Sequence, residues 1–185
     1  MTNLPMEFED IENLFRNAAM KALGIPKTDN KSVRLPHGSS FTAGNAPDFK
    51  REENVCFIYI EPYDDGYGQQ RHITYEPREG SDMLTRVDNH TDIFEARFTC
   101  YGPNGFDWTR KIKAGLHLYE IRRTLRKYGF FLKVGIPPII HIPELHDCAW
   151  WRRFDLKVVF YSAVSIEWPE YISTYERVII NAETY

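Results

Sequence analysis

Asp92-Ile93-Phe94-Glu95-Ala96-Arg97-Phe98-Thr99-Cys100-Tyr101, followed by Gly102-Pro103-Asn104-Gly105, is the stretch whose reading decides the fold. Ile93, Phe94, Ala96, Phe98 and Cys100 are apolar, with Glu95, Arg97 and Thr99 between them, which is close to the period-two alternation of a half-buried strand. The Gly-Pro-Asn-Gly run stops it. A helical stretch is expected from about Phe106 to Lys127, Gly129 ends it, and Phe130, Phe131, Leu132 and Val134 begin another strand before the paired Trp150-Trp151. Strand, turn, long helix and strand in uninterrupted order make the body of one small α+β domain.

Working outward, Phe8, Ile11, Leu14, Phe15, Ala18, Ala19, Ala22 and Leu23 recur at three- and four-residue steps. They predict an amphipathic helix over Glu7 to Leu23, closed by Gly24 and Pro26. From Ile25 to Asn54 no period holds. A structureless loop of that length is uncommon inside a compact domain, and Val33, Leu35 and Phe41 are apolar anchors that a partner would order. Strands follow at about Val55 to Glu61 and Arg71 to Glu76, expected as a hairpin with a long tip through Pro62 to Gly68. Pro77 to Thr91 reads as a polar surface excursion. Beyond Trp151, Phe154, Leu156, Val158, Phe160, Ala163, Val164 and Ile166 form a long strand that Pro169 interrupts. Residues 169–185 form a C-terminal arm, with a further strand over Tyr171 to Ile180 and Tyr171 and Tyr175 as contact candidates; such a strand could pair with the sheet of a neighbouring molecule. The expected architecture is a single α+β domain over residues 1–185. Its one mixed or antiparallel sheet carries the N-terminal helix and a long central helix on one face.

The chain has 185 residues and a formal net charge of −3, enough length for a core without metal or disulfide support and no overall charge for coating nucleic acid. Its apolar runs are too short to cross a bilayer and its N-terminus has no signal-peptide pattern, so synthesis in the cytoplasm is expected. Cys56, Cys100 and Cys148 are widely spaced and read as reduced. His141-Ile142-Pro143-Glu144-Leu145-His146-Asp147-Cys148 holds several metal-ligand types. Pro143, however, breaks any helix that would align the histidines, no second cluster completes a tetrahedron, and a connecting loop is the simpler reading. No phosphate-binding loop, nucleophile elbow or zinc-protease helix is present. Neither a catalytic residue, a metal nor a cofactor is expected.

The central helix is locally basic. Arg122, Arg123, Arg126 and Lys127 suit the negative end of the helix dipole, but Arg110, Lys111 and Lys113 near its start oppose it and ask for a partner's acidic surface or for phosphates. Trp150 and Trp151 adjoin Arg152 and Arg153. One tryptophan should enter the core and the other face outward, so Trp151 and Arg152 join the interface candidates.

The strand ending in Cys100-Tyr101-Gly102-Pro103-Asn104, the helix with Lys113-Ala114-Gly115-Leu116, and Trp150-Trp151-Arg152-Arg153-Phe154-Asp155-Leu156 together resemble the neck or tail terminator family of tailed bacteriophages. Val55 to Ile60 and Pro143-Glu144-Leu145 agree with that pattern, which spans roughly Asn54 to Ile180. The resemblance implies a structural virion protein that forms a ring, typically of six copies, at the head-proximal end of the tail. Such a ring would cap the tail tube, meet the tube, sheath and head-connector proteins, and let DNA through without sequence recognition. The rival reading is a single-stranded nucleic-acid or RNA-binding module that stacks bases on Tyr59, Phe98 or Trp151 beside the basic helix.

Overall fold

The computed structural model describes residues 6–35, 49–77, 84–146 and 148–170. Phe41, Tyr171, Tyr175 and residues 171–185 lie outside the described residues. Three helices and a mixed seven-stranded sheet account for the described elements. In chain order they are α1 (Phe8–Leu23), β1 (Val33–Arg34), β2 (Val55–Pro62), β3 (Arg71–Pro77), β4 (Leu84–Tyr101), α2 (Gly105–Gly115), α3 (Tyr119–Lys127), β5 (Phe130–Leu132), β6 (Ile140–His146) and β7 (Ala149–Glu170).

The spine is the antiparallel pair β4–β7, in register from Leu84 opposite Glu170 to Tyr101 opposite Arg153. β2 lies along the C-terminal half of β4 and β3 along its N-terminal half. On the other side, β6 pairs with the start of β7 and β5 with its middle. β1 joins β2 in parallel.

Even-numbered residues of β4 and β7 face the helices. There Phe15 of α1 meets Phe130 at 5.3 Å and Phe160 at 4.7 Å, both edge-on, over a floor that includes Ile58, Phe98, Leu156 and Val158. Odd-numbered residues face the other side, where Phe49, Val55, Phe57 and Tyr101 form a smaller cluster. Cys56 and Cys100 are cross-strand partners, both buried, and all three cysteines are free thiols. Hydrogen bonding with Cys100, together with burial, pushes the Cys56 thiol well above its ordinary range.

Several expectations change. The long central helix is two helices. His117 and Leu118 donate their backbone N–H groups to Ala114 and Gly115 at 3.1 and 2.9 Å, closing one tight turn, and Leu118 then turns extended before α3. Ile112 of the first piece, Leu116 directly after it, and Ile121 and Leu125 of the second are all buried. At 3.6 residues per turn, Ile112 and Ile121 would stand about 180° apart on one straight helix, so only a break lets both reach the core. The break falls at Gly115, where a Cβ would come within 2.4 Å of the Ala22 Cβ and α1 therefore packs in close contact.

β2 and β3 do not pair with each other as a hairpin, since both lie on β4, and the supposed excursion contains the first half of β4 from Leu84 to Thr91. None of its residues belongs to the main core under the helices, so no apolar alternation marks it. His141 to His146, expected as part of a connecting loop, is most of strand β6. Pro143 fits there because β6 is an edge strand and its nitrogen points away from β7.

Part of the long loop is held by the chain itself. Asp29 Oδ1 accepts the backbone N–H groups of Lys31 and Ser32 at 2.8 and 3.0 Å, and Arg16 donates to the Val33 and Asp29 carbonyls at 2.9 Å. Val33 is fully enclosed and Leu35 nearly so, both in this chain's own core rather than on its surface.

Candidate functional site

Of the interface candidates from the sequence, Arg110, Lys111 and Arg152 stand on the two elements that meet at the corner where α2 begins against β7, whereas Val33, Leu35 and Trp151 lie elsewhere. β4 runs into α2 through Gly102, whose φ of +100° no other residue adopts easily and where a Cβ would lie 2.3 Å from the Glu53 carbonyl oxygen. Gly105 then seats the helix start against Phe154, and Thr109 closes the first turn by donating its hydroxyl to the Gly105 carbonyl at 2.8 Å.

Phe106, half exposed, leans on Phe154 at 5.6 Å, and His141 stacks flat on the same ring at 4.7 Å and 15°. The Arg110 guanidinium lies 5.8 Å from the Phe106 centroid and 3.8 Å from Asp107. Arg152 precedes Phe154 by two residues on the same strand, hence on the same face, and is exposed. Trp150, 62% exposed, follows on that face with Leu145, 57% exposed, as its cross-strand partner. Arg110 thus lies against the aromatic stack, Arg152 is exposed on the same sheet face, and an open Trp–Leu pair stands at the hairpin end.

Lys111 is exposed on α2, while Lys113 donates its ammonium to the Pro137 carbonyl at 2.8 Å and so ties α2 to the segment leading into β6. One tryptophan of the pair does face outward, and it is Trp150. Trp151 meets Phe49 edge-on at 5.3 Å in the smaller cluster.

Behind this corner the structure holds a polar network that the sequence did not suggest. Tyr101 donates its hydroxyl to Glu144 Oε2 at 2.8 Å. Arg153 donates to Glu144 Oε1 through Nη1, and forks onto both oxygens of buried Asp155 at 2.8 and 2.7 Å. Burial, and then Glu144 as acceptor, push the Tyr101 hydroxyl far above its ordinary range, and hydrogen bonds to Asp155 raise Arg153 likewise. The hydroxyl therefore stays protonated and the guanidinium charged, and together they lock β6 to the sheet. The signal available was the i,i+2 spacing of Arg153 and Asp155, which shares one strand face; Glu144 becomes visible only once β6 is a strand.

The helix-free face continues as a ladder of alternating charge. Arg97 reaches Glu61 at 3.0 Å and Glu95 at 3.4 Å, and Lys157 reaches Glu95 at 3.4 Å. The three aromatics of the rival reading do not share one sheet face. Phe98 is fully buried under the helices, whereas Tyr59 and Trp151 lie on the opposite side of the sheet beside the smaller cluster.

Among the described residues no group of three His, Cys, Asp or Glu side chains stands together as metal ligands, and no helix is long and apolar enough to cross a membrane. The corner presents two exposed arginines, Arg110 beside the Phe106 ring and Arg152 on β7, together with the exposed Trp150 indole, and Arg and Trp are residue types enriched at protein contact surfaces.

No curated protein matches this chain. A family model described as phage neck terminator protein matches residues 43–184, which covers both spine strands, α2, α3 and the corner, and encloses the span of the resemblance read from the sequence. The chain belongs to the phage neck terminator protein family and is, as such, a structural protein of the bacteriophage virion.

Proposed function

We propose that the protein forms a ring, hexameric as the resemblance implies, at the head-proximal end of the tail, where it caps the tail tube and joins it to the head connector. The observation that carries this reading is the match of residues 43–184 to the neck terminator family. Head-to-tail contacts between identical copies close when each is turned by the correct angle, and the two faces of such a ring are different surfaces free to meet different partners. DNA passes through the opening without sequence readout.

In this reading Arg110, Lys111 and Arg152 meet an acidic surface on an adjoining neck, tail or connector protein. Charges of this kind steer encounter and set orientation more than they add affinity. Replacing all three by Glu should leave folding intact, because each is exposed, and should block joining of heads to tails in a phage complementation assay. Normal joining with the triple variant would remove the corner from the interface. Light scattering and negative-stain imaging of the purified protein, alone and with tail tubes, test the ring; a chain that stays monomeric under both conditions would overturn it.

A further inference from the structure

Among the described residues, the far half of β7 is an open sheet edge. β5 pairs with β7 no further than Ser162, and among the described residues no strand lies against Ala163–Glu170 on the side away from β4. One bond fixes the direction of the backbone groups: the Lys133 N–H donates to the Val159 carbonyl at 3.0 Å across the β5–β7 junction. Odd-numbered residues of β7 therefore turn their N–H and C=O groups away from β4. The register is unbroken to Glu170, so Ala163, Ser165 and Glu167 direct N–H groups outward. Pro169 stands at the next odd position, where its missing N–H takes nothing from the pairing with β4. Val164, Ile166 and Trp168 line the helix side of the same stretch, and Trp168 is 53% exposed. A row of outward donors and acceptors beside an apolar flange is a template for an added strand.

The chain supplies a strand of suitable make. Seven of the ten residues 171–180 are β-branched or aromatic, and none is Gly, Pro, Asn or Asp. To return onto its own edge, this segment would have to reverse directly after Glu170, and tight reversals draw on residues comfortable at positive φ, which it lacks. Its sequence offers none of these residues for such a reversal, so a second molecule's edge suits it better than its own.

We propose that residues 171–180 of one copy add as a strand to the Ala163–Glu167 edge of a second copy, with main-chain hydrogen bonds joining the neighbours. This deepens the ring reading and rests on it for the number of copies: when each copy gives one strand and receives one, closure leaves no Ala163–Glu167 edge unfilled.

The test uses the full chain with Cys148→Ser, which removes the exposed thiol. A copy carrying Ser165→Cys is mixed with a tagged copy carrying Cys at 173, 175 or 177, and disulfide-linked product is followed on non-reducing gels. Separately, Ser165→Pro deletes one outward N–H and spares the bonds to β4. The expected results are mixed dimers on the gel for at least one of the three positions, and a several-fold fall in native mass for Ser165→Pro with an unchanged circular dichroism spectrum. If the two cysteines placed in one chain link only within that chain, its own arm covers the edge and the inference is overturned. Rings that survive Ser165→Pro and give no cross-link also overturn it, and leave the ring reading standing. A wild-type chain that is monomeric alone and on tail tubes sinks the ring reading itself.

Discussion

The two halves of the β4–β7 pair share one register and one ladder of hydrogen bonds, yet they are built differently. From Ile93 to Tyr101, opposite Arg153 to Tyr161, the pair lies under the helices and contributes Ala96, Phe98, Cys100, Leu156, Val158 and Phe160 to the main core. From Leu84 to Asp92, opposite Ser162 to Glu170, it contributes nothing to that core. There Arg71 bonds Asp88 at 3.0 Å, and Val87 and Val164 are the buried aliphatics. Strand pairing alone is therefore not what makes half of a sheet strong. Cross-strand pairs contribute roughly 0.2–1 kcal/mol each, whereas a buried aromatic contributes several times that. The covered half holds the fold, and the bare half is free to serve as a surface.

The largest effect should come from cutting the core of the covered half. Phe160→Ala removes a fully buried ring packed against Phe15 and should cost about 3–5 kcal/mol. Val164→Ala, four residues along the same strand, should cost about 1–2 kcal/mol. Urea denaturation of both variants measures the contrast; equal costs would break it. Native-state hydrogen exchange sharpens the point, because amides of Leu84–Asp92 should exchange through local opening at a lower free energy than those of Phe94–Cys100.

The next effect lies where the roof is seated. Gly115→Ala improves helix propensity but places a Cβ 2.4 Å from that of Ala22, between two helices with no slack. A net loss of about 1–3 kcal/mol is expected from overpacking. Ala22→Gly in the same chain should recover part of it. A stabilised Gly115→Ala protein would mean that α1 and α2 slide apart freely, and that the roof is looser than its contacts imply.

Glu144→Gln should cost about 1–2 kcal/mol, because Arg153 and Tyr101 lose a charged acceptor while Arg153 keeps its fork on Asp155. The readout that separates this from a general loss of stability is exchange at Ile140–Leu145, which should quicken while the β4–β7 centre stays protected. Unchanged protection in β6 would show that the strand is held without the network.

The same contrast explains what could be read from the sequence. Alternation reports a sheet face only where one side is apolar and the other polar, so Ile93 to Cys100 announced itself, and Arg86, Asp88 and His90 did not. The helix break was written in the half-turn offset between Ile112 and Ile121, but a basic run of helix formers from Arg110 to Lys127 concealed it. β6 was hidden by Pro143, which argues against a central strand and is tolerated at an edge. Of the site, the cations and the tryptophan pair were legible as residue types. The Phe106–Phe154–His141 stack beside Arg110 was not, because it joins a helix to a hairpin that Pro143 conceals. The Glu144–Arg153–Asp155 network spans two strands for the same reason.

The smallest expected effect is electrostatic and sits on the helix-free face near the boundary of the two halves. Asp65 accepts the Tyr67 backbone N–H at 3.1 Å and the Lys133 ammonium at 3.2 Å, and Tyr67 and Lys133 both lie against Tyr161. The Tyr67 N–H, followed by Lys133, holds the Asp65 carboxyl below its ordinary value, and the bond to Asp65 raises Lys133 above its own. A depressed acid stabilises the fold above its unfolded value of about 3.9 and loses that contribution as pH falls through its folded value. A raised lysine contributes below about 10.4 and loses it as pH climbs through its folded value. Both groups are partly exposed, so the effect is local and screened by salt. Backbone amide exchange in residues 63–70 should quicken below about pH 4 and stay level between about pH 5 and 9, after correction for intrinsic rates. Asp65→Asn should make the loop faster at neutral pH and remove the acid-side step. A step that persists in Asp65→Asn would assign it to another carboxylate and leave the loop held by the Tyr67–Tyr161 contact alone.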